Sequence, residues 1–370
     1  MLYDNIKLLM EANLKLNIFD DMSIERNRNL IIVYCPPKVG STSIVSSLRL
    51  FGSTKYTVLH IHNEFMLKVL YNIVDVTVLE IIEYNKSLGK NVYVVDIYRS
   101  PIEQKMSAFF ETINTFHFNV SLDNLNTYSM DRILKRFHHI FLHLANNDYY
   151  REKYELGYVD CFNFEKRYIK MEKNGIKYIK LRLKDSDEWS NILSEIFNME
   201  IKVVKDYETG NKPTKDLYKK FKEQYRVPLN LFEEIKESET LKFYYSEKER
   251  NEYLEFWEKR KMNSIFRSYT KEEFALYNEL SVENKYLSET HTEHYIDMGC
   301  ICVACSKKRR KVVNKIKNGE KIEGKIIHED AKLDMVREKI DLMKRKFYKF
   351  SKSTSNGKLM RGEIAFTFKK

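Results

Sequence analysis

The sequence predicts an α/β protein in which a mostly parallel central sheet lies between two layers of helices. Short apolar runs alternate with amphipathic stretches along the first two hundred residues, and the connections between parallel strands are expected to be right-handed. Strands are predicted near 30–35, 56–62, 91–98 and 177–183. Helices are predicted near 41–51, 64–88, 101–114 and 186–198. This order favours a three-layer sandwich.

The first strand leads into a loop with the features of an anion site. Leu30–Tyr34 is apolar without alternation, as in a buried parallel strand. The loop that follows, called the anion loop below, consists of Pro37, Lys38, Val39, Gly40, Ser41, Thr42 and Ser43. A helical pattern then begins, so backbone N–H groups and the positive end of a helix dipole face the loop. Gly40 permits close approach, the hydroxyls donate hydrogen bonds and Lys38 adds a cation. The loop is predicted to bind phosphate-like groups.

The anion loop differs from the common phosphate loop of ATPases and GTPases. That motif places its lysine after a second glycine, whereas Lys38 precedes Gly40, the one glycine of this loop. Binding of ATP or GTP is therefore disfavoured. The alternative is an ordinary polar turn between a strand and a helix.

A second strand carries a second candidate phosphate ligand. Asn91–Tyr98 is predicted as a buried strand, and Pro101 suits the first turn of the next helix. Arg99 then stands at the carboxyl end of a strand, where ligands bind in open α/β sheets. Ser107 follows two helical turns later and can face the same ligand. An arginine with a nearby hydroxyl suits a separate phosphate.

The two motifs together resemble the nucleotide-binding motifs of sulfotransferases that use 3′-phosphoadenosine 5′-phosphosulfate (PAPS). PKVGSTS resembles their 5′-phosphosulfate loop, and Arg99 with Ser107 resembles their 3′-phosphate site. The motif sequences are most similar to those of carbohydrate sulfotransferases of the heparan and uronyl 2-O type and of bacterial polysaccharide sulfotransferases. Lys55–Ile61 also resembles the second-strand region of the 2-O type, and residues 211–257 resemble the closing helices of the bacterial proteins. Ser100 departs from the Asp or Glu usual after the arginine.

The resemblance implies a P-loop-like fold and a domain order. It covers 28–262 as a PAPS-binding catalytic domain, preceded by a helical lead-in at 1–27 and followed by an extension at 263–370. A helical insertion is predicted at about 114–175. It contains a group of histidines that aromatic neighbours indicate to be structural: His138, His139 and His143.

The implied reaction moves a sulfuryl group from PAPS to a hydroxyl of a carbohydrate acceptor. Lys38 is the predicted residue that neutralises the bridging oxygen of the leaving group. Three residues are candidates for the general base: His62 is the first choice, Glu64 the second and His60 the third. The two histidines lie two residues apart on one face of a strand, and core histidines bonded to the backbone are the alternative.

A polar stretch at 206–215 is predicted to close over the donor. Relatives use a basic loop there, so Lys212 is a candidate cofactor ligand, with Asn211 and Lys215 beside it. A solvated linker is the alternative.

The C-terminal region predicts a small cysteine-containing, basic helical appendage. A structural zinc would be held by His294, Cys300, Cys302 and Cys305, with free thiols in a turn as the alternative. Residues 306–370 hold 21 basic and 8 acidic residues, a net charge of +13, whereas the whole chain carries +11. A basic helical appendage of this kind suits a polyanion such as an anionic glycan acceptor. Nucleic acid is less favoured, and a solvated helix is the alternative.

The remaining composition limits location and leaves other functions open. No apolar run of about 18 residues and no signal-peptide pattern is visible, and the five cysteines do not suggest a disulfide framework, so a cytoplasmic protein is expected. Alternative functions are a P-loop-like nucleotide kinase and a non-catalytic polyanion-binding protein on a sulfotransferase scaffold.

Overall fold

The structure, a computed structural model, describes residues 2–118, 122–144, 148–149, 153–154, 156, 162–204 and 213–280. Lys212 lies outside these residues, as do the predicted zinc ligands His294, Cys300, Cys302 and Cys305 and the basic tail.

The centre of the fold is a five-stranded sheet with the order β2-β1-β3-β5-β4. The strands are β1 (Asn29–Tyr34), β2 (Thr57–Ile61), β3 (Asn91–Tyr98), β4 (Tyr168–Lys173) and β5 (Ile176–Arg182). Strands β2, β1, β3 and β5 are parallel, and β4 is antiparallel to β5 at one edge. Leu30–Tyr34 of β1 is buried throughout because helices cover both faces. The prediction of a mostly parallel α/β sheet is confirmed.

Helices account for most of the other described residues. The first half contains α1 (Leu2–Lys15), α2 (Glu25–Arg28), α3 (Ser41–Gly52), α4 (Glu64–Tyr71), α5 (Val78–Ser87), α6 (Pro101–Glu111), α7 (Leu122–Asn126) and α8 (Met130–Leu144). The second half contains α9 (Trp189–Phe197), α10 (Lys215–Gln224), α11 (Leu229–Lys236), α12 (Glu239–Tyr244), α13 (Glu247–Glu258) and α14 (Lys271–Leu280). Two short strands, β6 (Val227–Pro228) and β7 (Lys261–Met262), pair in parallel. A π-helical turn, Ile113–His117, follows α6, and a 3₁₀ turn, Leu183–Glu188, precedes α9.

Two apolar clusters cover the two faces of the sheet. One cluster joins Ile31 and Val33 of β1 to α3 and α9, with Trp189 among its members. The other joins Leu30 and Ile32 to α1, α5, α6, α8 and the helices after α9. Alternate residues of β1 therefore point into opposite helical layers, as the period of a strand requires. The arrangement is compatible with a three-layer sandwich.

The chain after β7 continues along α8. The amide of Tyr269 donates to the His139 carbonyl at 2.7 Å, and His143 Nε2 contacts the Tyr269 carbonyl at 2.7 Å. The ring of His139 stacks on Tyr269, and that of His143 stacks on Phe274. These histidines therefore occupy packed structural positions on α8, as expected.

Two local features differ from the predicted elements. Strand β4 lies inside the region predicted as a helical insertion. It is joined to β5 by Asn174-Gly175, whose φ values are 53° and 72°. Both residues adopt the left-handed conformation typical of a tight hairpin turn. The helix predicted over 64–88 is broken into two, because Asn72 ends α4 with φ 50° and Thr77 starts α5 through a capping box with Glu80.

Candidate functional site

The anion loop lies at the carboxyl edge of the sheet, where the chain leaves neighbouring strands toward opposite faces. From β1 the chain enters α3 in one helical layer, and from β3 it enters α6 in the other. Such a divergence opens a crevice between the two loops, which is the usual ligand position in open α/β sheets. The structure therefore brings the two predicted motifs to adjacent positions.

The backbone of the anion loop is held in a left-handed conformation at two positions. Lys38 has φ 66° and Gly40 has φ 88°. A Cβ atom on Gly40 would lie 2.7 Å from Leu183 Cδ1 and 2.9 Å from Trp189 Cη2, so a side chain there would force these residues apart. Glycine is thus required both by conformation and by space. Few non-glycine residues adopt the left-handed conformation of Lys38, and those that do are concentrated at functional sites.

Helix α3 begins directly in the anion loop without a side-chain cap. Gly40 occupies the N-cap position, and no side-chain oxygen caps the helix there. Ser41 is buried and its hydroxyl contacts His60 Nε2 at 2.9 Å, while Thr42 and Ser43 are half-buried. The amide of Ser43 donates to the Gly40 carbonyl at 3.2 Å, and the positive end of the helix dipole at this terminus favours an anion.

Lys38 forms an ion pair across the crevice with Glu111 at the end of α6. Nζ and Oε2 are 3.0 Å apart, and the two side chains are 16% and 24% exposed. A carboxylate thus occupies the position at which a bound anion would contact Lys38. This partial exposure leaves the pair open to exchange with a ligand that carries more negative charge.

Arg99 and α6 fasten the second motif to the anion loop. Arg99 Nη1 donates to the Lys38 carbonyl at 2.7 Å, and Arg99 also bonds to the Tyr218 hydroxyl. Gln104 Nε2 donates to the Pro37 carbonyl at 3.1 Å. Ser107 is buried and lies between Gln104 and Glu111 at helical spacing, so it shares the face of α6 that contacts the loop. Val39 is buried in the apolar cluster, so only its backbone can serve a ligand.

His60, on β2, and His62, directly after its last residue, meet at the same edge. Their rings are in a T-shaped contact with centroids 4.6 Å apart. His62 Nδ1 lies 2.8 Å from the Cys35 carbonyl, which can only accept, so Nδ1 carries the proton and Nε2 is the accepting nitrogen of the neutral ring. Burial lowers the pKa of His62, the Cys35 carbonyl opposes this, and Lys38 lowers it further. Burial lowers the pKa of His60 well below 6.5, followed by the effects of His62 and Arg49.

Glu64 lies at the start of α4, beside His62. Its carboxylate accepts a hydrogen bond from the Tyr34 hydroxyl at 3.0 Å and pairs with Lys153 Nζ at 3.5 Å. His62 is better suited than Glu64 to accept a proton, because its Nε2 is not used in the bond to Cys35.

Three groups at the site were absent from the sequence-based prediction. Glu111 pairs with Lys38, Tyr218 bonds to Arg99, and Tyr149 donates from its hydroxyl to the His62 carbonyl at 2.8 Å. The spacing of Glu111, four residues after Ser107, was an available signal because such residues share a helix face. Nothing in the local sequence marks Tyr149 or Tyr218.

No protein-family model matches this chain, and neither a curated protein nor a solved structure matches it.

Two further properties concern the described residues only. Within the described part of the chain, no three His, Cys, Asp or Glu side chains are grouped as a metal site would require. None of the described helices combines the length and apolar character needed to span a membrane.

Proposed function

We propose that this protein is a PAPS-dependent sulfotransferase with a P-loop-like nucleotide site, and that it sulfates a hydroxyl of a carbohydrate. One observation supports this most strongly: Arg99, at the end of β3, donates to the carbonyl of Lys38 inside the anion loop. Two cations from neighbouring strands thus stand at one crevice with a helix N-terminus between them. A nucleotide with phosphate groups at both ends of its ribose suits this pair.

The residues present fit such a donor. The amides at the start of α3 and the hydroxyls of Thr42 and Ser43 suit the 5′-phosphosulfate, while Arg99 and Ser107 suit the 3′-phosphate. The donor would displace Glu111 from Lys38, because a phosphosulfate brings more negative charge than one carboxylate. Lys38 then neutralises the bridging oxygen as the leaving group departs.

The acceptor side of the reaction depends on His62. Its Nε2 takes the proton of the acceptor hydroxyl while the new O–S bond forms and the bond from sulfur to the bridging oxygen breaks. Adenosine 3′,5′-bisphosphate leaves with the electron pair. A lowered pKa keeps His62 neutral at pH 7 and able to accept this proton. By analogy with phosphoryl transfer, positioning and charge neutralisation supply most of the catalysis.

Thermal unfolding with a nucleotide series tests the donor. Adenosine 3′,5′-bisphosphate at 100 times its Kd should stabilise the protein by about 2.7 kcal/mol, whereas ATP with Mg²⁺ should give no comparable shift. Lys38→Ala should abolish the effect, and the exposed Lys55→Ala, which removes the same charge elsewhere, should retain it. Stabilisation by ATP–Mg²⁺ alone would favour the nucleotide kinase instead. No shift with any nucleotide would overturn both.

A further inference from the structure

Two adjacent residues of the insertion, Asp148 and Tyr149, connect the interior of the sheet with His62. Asp148 Oδ1 lies 2.5 Å from Lys180 Nζ, and Asp148 Oδ2 accepts from the Tyr244 hydroxyl at 2.6 Å. The next residue, Tyr149, donates from its hydroxyl to the His62 carbonyl at 2.8 Å. Asp148 is thus fixed by buried contacts, and the residue after it, Tyr149, contacts the candidate base His62.

Asp148 shares the buried ammonium of Lys180 with a second carboxylate. Lys180 on β5 already faces Asp96, its register partner on β3, with Nζ and Oδ2 2.6 Å apart. Asp148 adds a second carboxylate to the same ammonium, and all three side chains are at most 2% exposed. These contacts fix the position of Asp148, and with it the start of the neighbouring residue, Tyr149.

Tyr149 and Tyr154 extend that anchor to the ends of β1 and β2. The ring of Tyr149, which is 3% exposed, packs on Tyr34 with centroids 5.1 Å apart. Tyr154 donates from its hydroxyl to the Tyr34 carbonyl at 2.5 Å. Tyr149 and Tyr154 are therefore held against the chain where β1 and β2 end, next to the residues of the site.

We propose that Tyr149 is a positioning residue for His62, held in place by the Asp148–Lys180 ion pair. His62 is bonded on two sides: its Nδ1 donates to the Cys35 carbonyl, and its own carbonyl accepts from Tyr149. The first bond orients the ring and the second fixes the backbone that carries it. Together they set the direction of Nε2, as a base in a preorganised site requires. The catalytic consequence rests on the proposed sulfuryl transfer, whereas the positioning itself does not.

Histidine titration by NMR tests the positioning without any substrate. The His62 signal is assigned by its loss in His62→Gln, and Lys38 and the His60 ring are the neighbouring groups that face it. In Tyr149→Phe we expect the pKa of His62 to rise toward its ordinary value of 6.5, because burial lowers it and a less firmly held ring is more hydrated. Tyr56→Phe is the matched control. Tyr56 directly precedes the first residue of β2, and its hydroxyl also donates to a backbone carbonyl, that of Phe197. An unchanged His62 titration in Tyr149→Phe would overturn the proposal.

Turnover then separates positioning from general stability. With PAPS and water as acceptor, Tyr149→Phe should release adenosine 3′,5′-bisphosphate about tenfold more slowly, with the KM for PAPS within twofold of wild type. The acidic limb of the pH–rate profile should move with the pKa of His62. Equal rate losses in Tyr149→Phe and Tyr56→Phe would contradict a specific role. Failure of the wild type to bind the bisphosphate would instead refute the proposed function, and the NMR titration would still decide the role of Tyr149.

Discussion

Lys38 and Lys180 show two ways in which this protein balances the positive charge of a lysine. Lys38 is partly exposed and pairs with Glu111 across the crevice, at a distance of 3.0 Å. Lys180 is 1% exposed and lies between Asp96 and Asp148, both also buried. The first charge can exchange its partner for a ligand, because water and counter-ions reach it. The second cannot, because it is shielded from water and two buried carboxylates contact it. One lysine is therefore suited to binding and the other to holding the structure.

The largest expected effect separates the two lysines by stability. Lys180→Met removes the ammonium that two buried carboxylates contact, so we expect it to lower the free energy of unfolding by about 3–5 kcal/mol or to prevent folding. Lys38→Met should lower it by at most about 1 kcal/mol, because its ion pair is partly solvated. Urea unfolding followed by circular dichroism measures both. Equal losses in the two variants would contradict the distinction.

A smaller effect concerns the pH dependence of the buried cluster. Burial raises the pKa of Asp96 to about 6, with Lys180 opposing and Asp148 adding to the rise. Because this folded-state pKa lies above the ordinary value of 3.8, Asp96 binds its proton more tightly in the folded protein, and its contribution destabilises the fold above pH 6. The destabilisation is relieved as pH falls from 6 toward 4.

Asp148→Asn isolates that contribution. The Tyr244 hydroxyl can reverse and accept from the new amide, so the substitution mainly removes one charge. The pKa of Asp96 should then fall, and the gain in unfolding free energy between pH 7 and pH 5 should shrink by about 1 kcal/mol relative to wild type. Urea unfolding at the two pH values measures the difference. An identical pH dependence in both proteins would show that Asp148 does not act on Asp96.

The smallest expected effect tests the exchange at Lys38. Glu111→Gln removes the carboxylate that competes with a bound anion, so the affinity for adenosine 3′,5′-bisphosphate should rise about three- to tenfold. Isothermal titration calorimetry measures the Kd. Glu83→Gln, an exposed change of the same charge on α5, corrects for the general effect of net charge. Weaker binding in Glu111→Gln would mean that Glu111 supports the ligand.

The two lysines also show how far the sequence predicts this molecule. The common position of the anion loop, Arg99 and His62 at one edge of the sheet could be predicted, because strands, turns and helix starts have local patterns and parallel strands end at one edge. Strand β4 was missed although Asn174-Gly175 is a strong hairpin signal, because it is an edge strand in which only the first two residues are buried. The hydrogen bond from Tyr149 to the His62 carbonyl joins residues that are 87 positions apart in the sequence. Such contacts are determined by tertiary packing, which leaves no local pattern.

Calorimetry of two nucleotides tests the central claim, that Arg99 and the anion loop form separate sites for two phosphates. Wild type should bind adenosine 3′,5′-bisphosphate roughly 100-fold more tightly than adenosine 5′-monophosphate, because a charge-assisted arginine contact contributes about 2–3 kcal/mol. Arg99→Ala should lose that preference, while the exposed Arg226→Ala should keep it. A preference that survives in Arg99→Ala, or equal affinity for both nucleotides in wild type, would contradict the account.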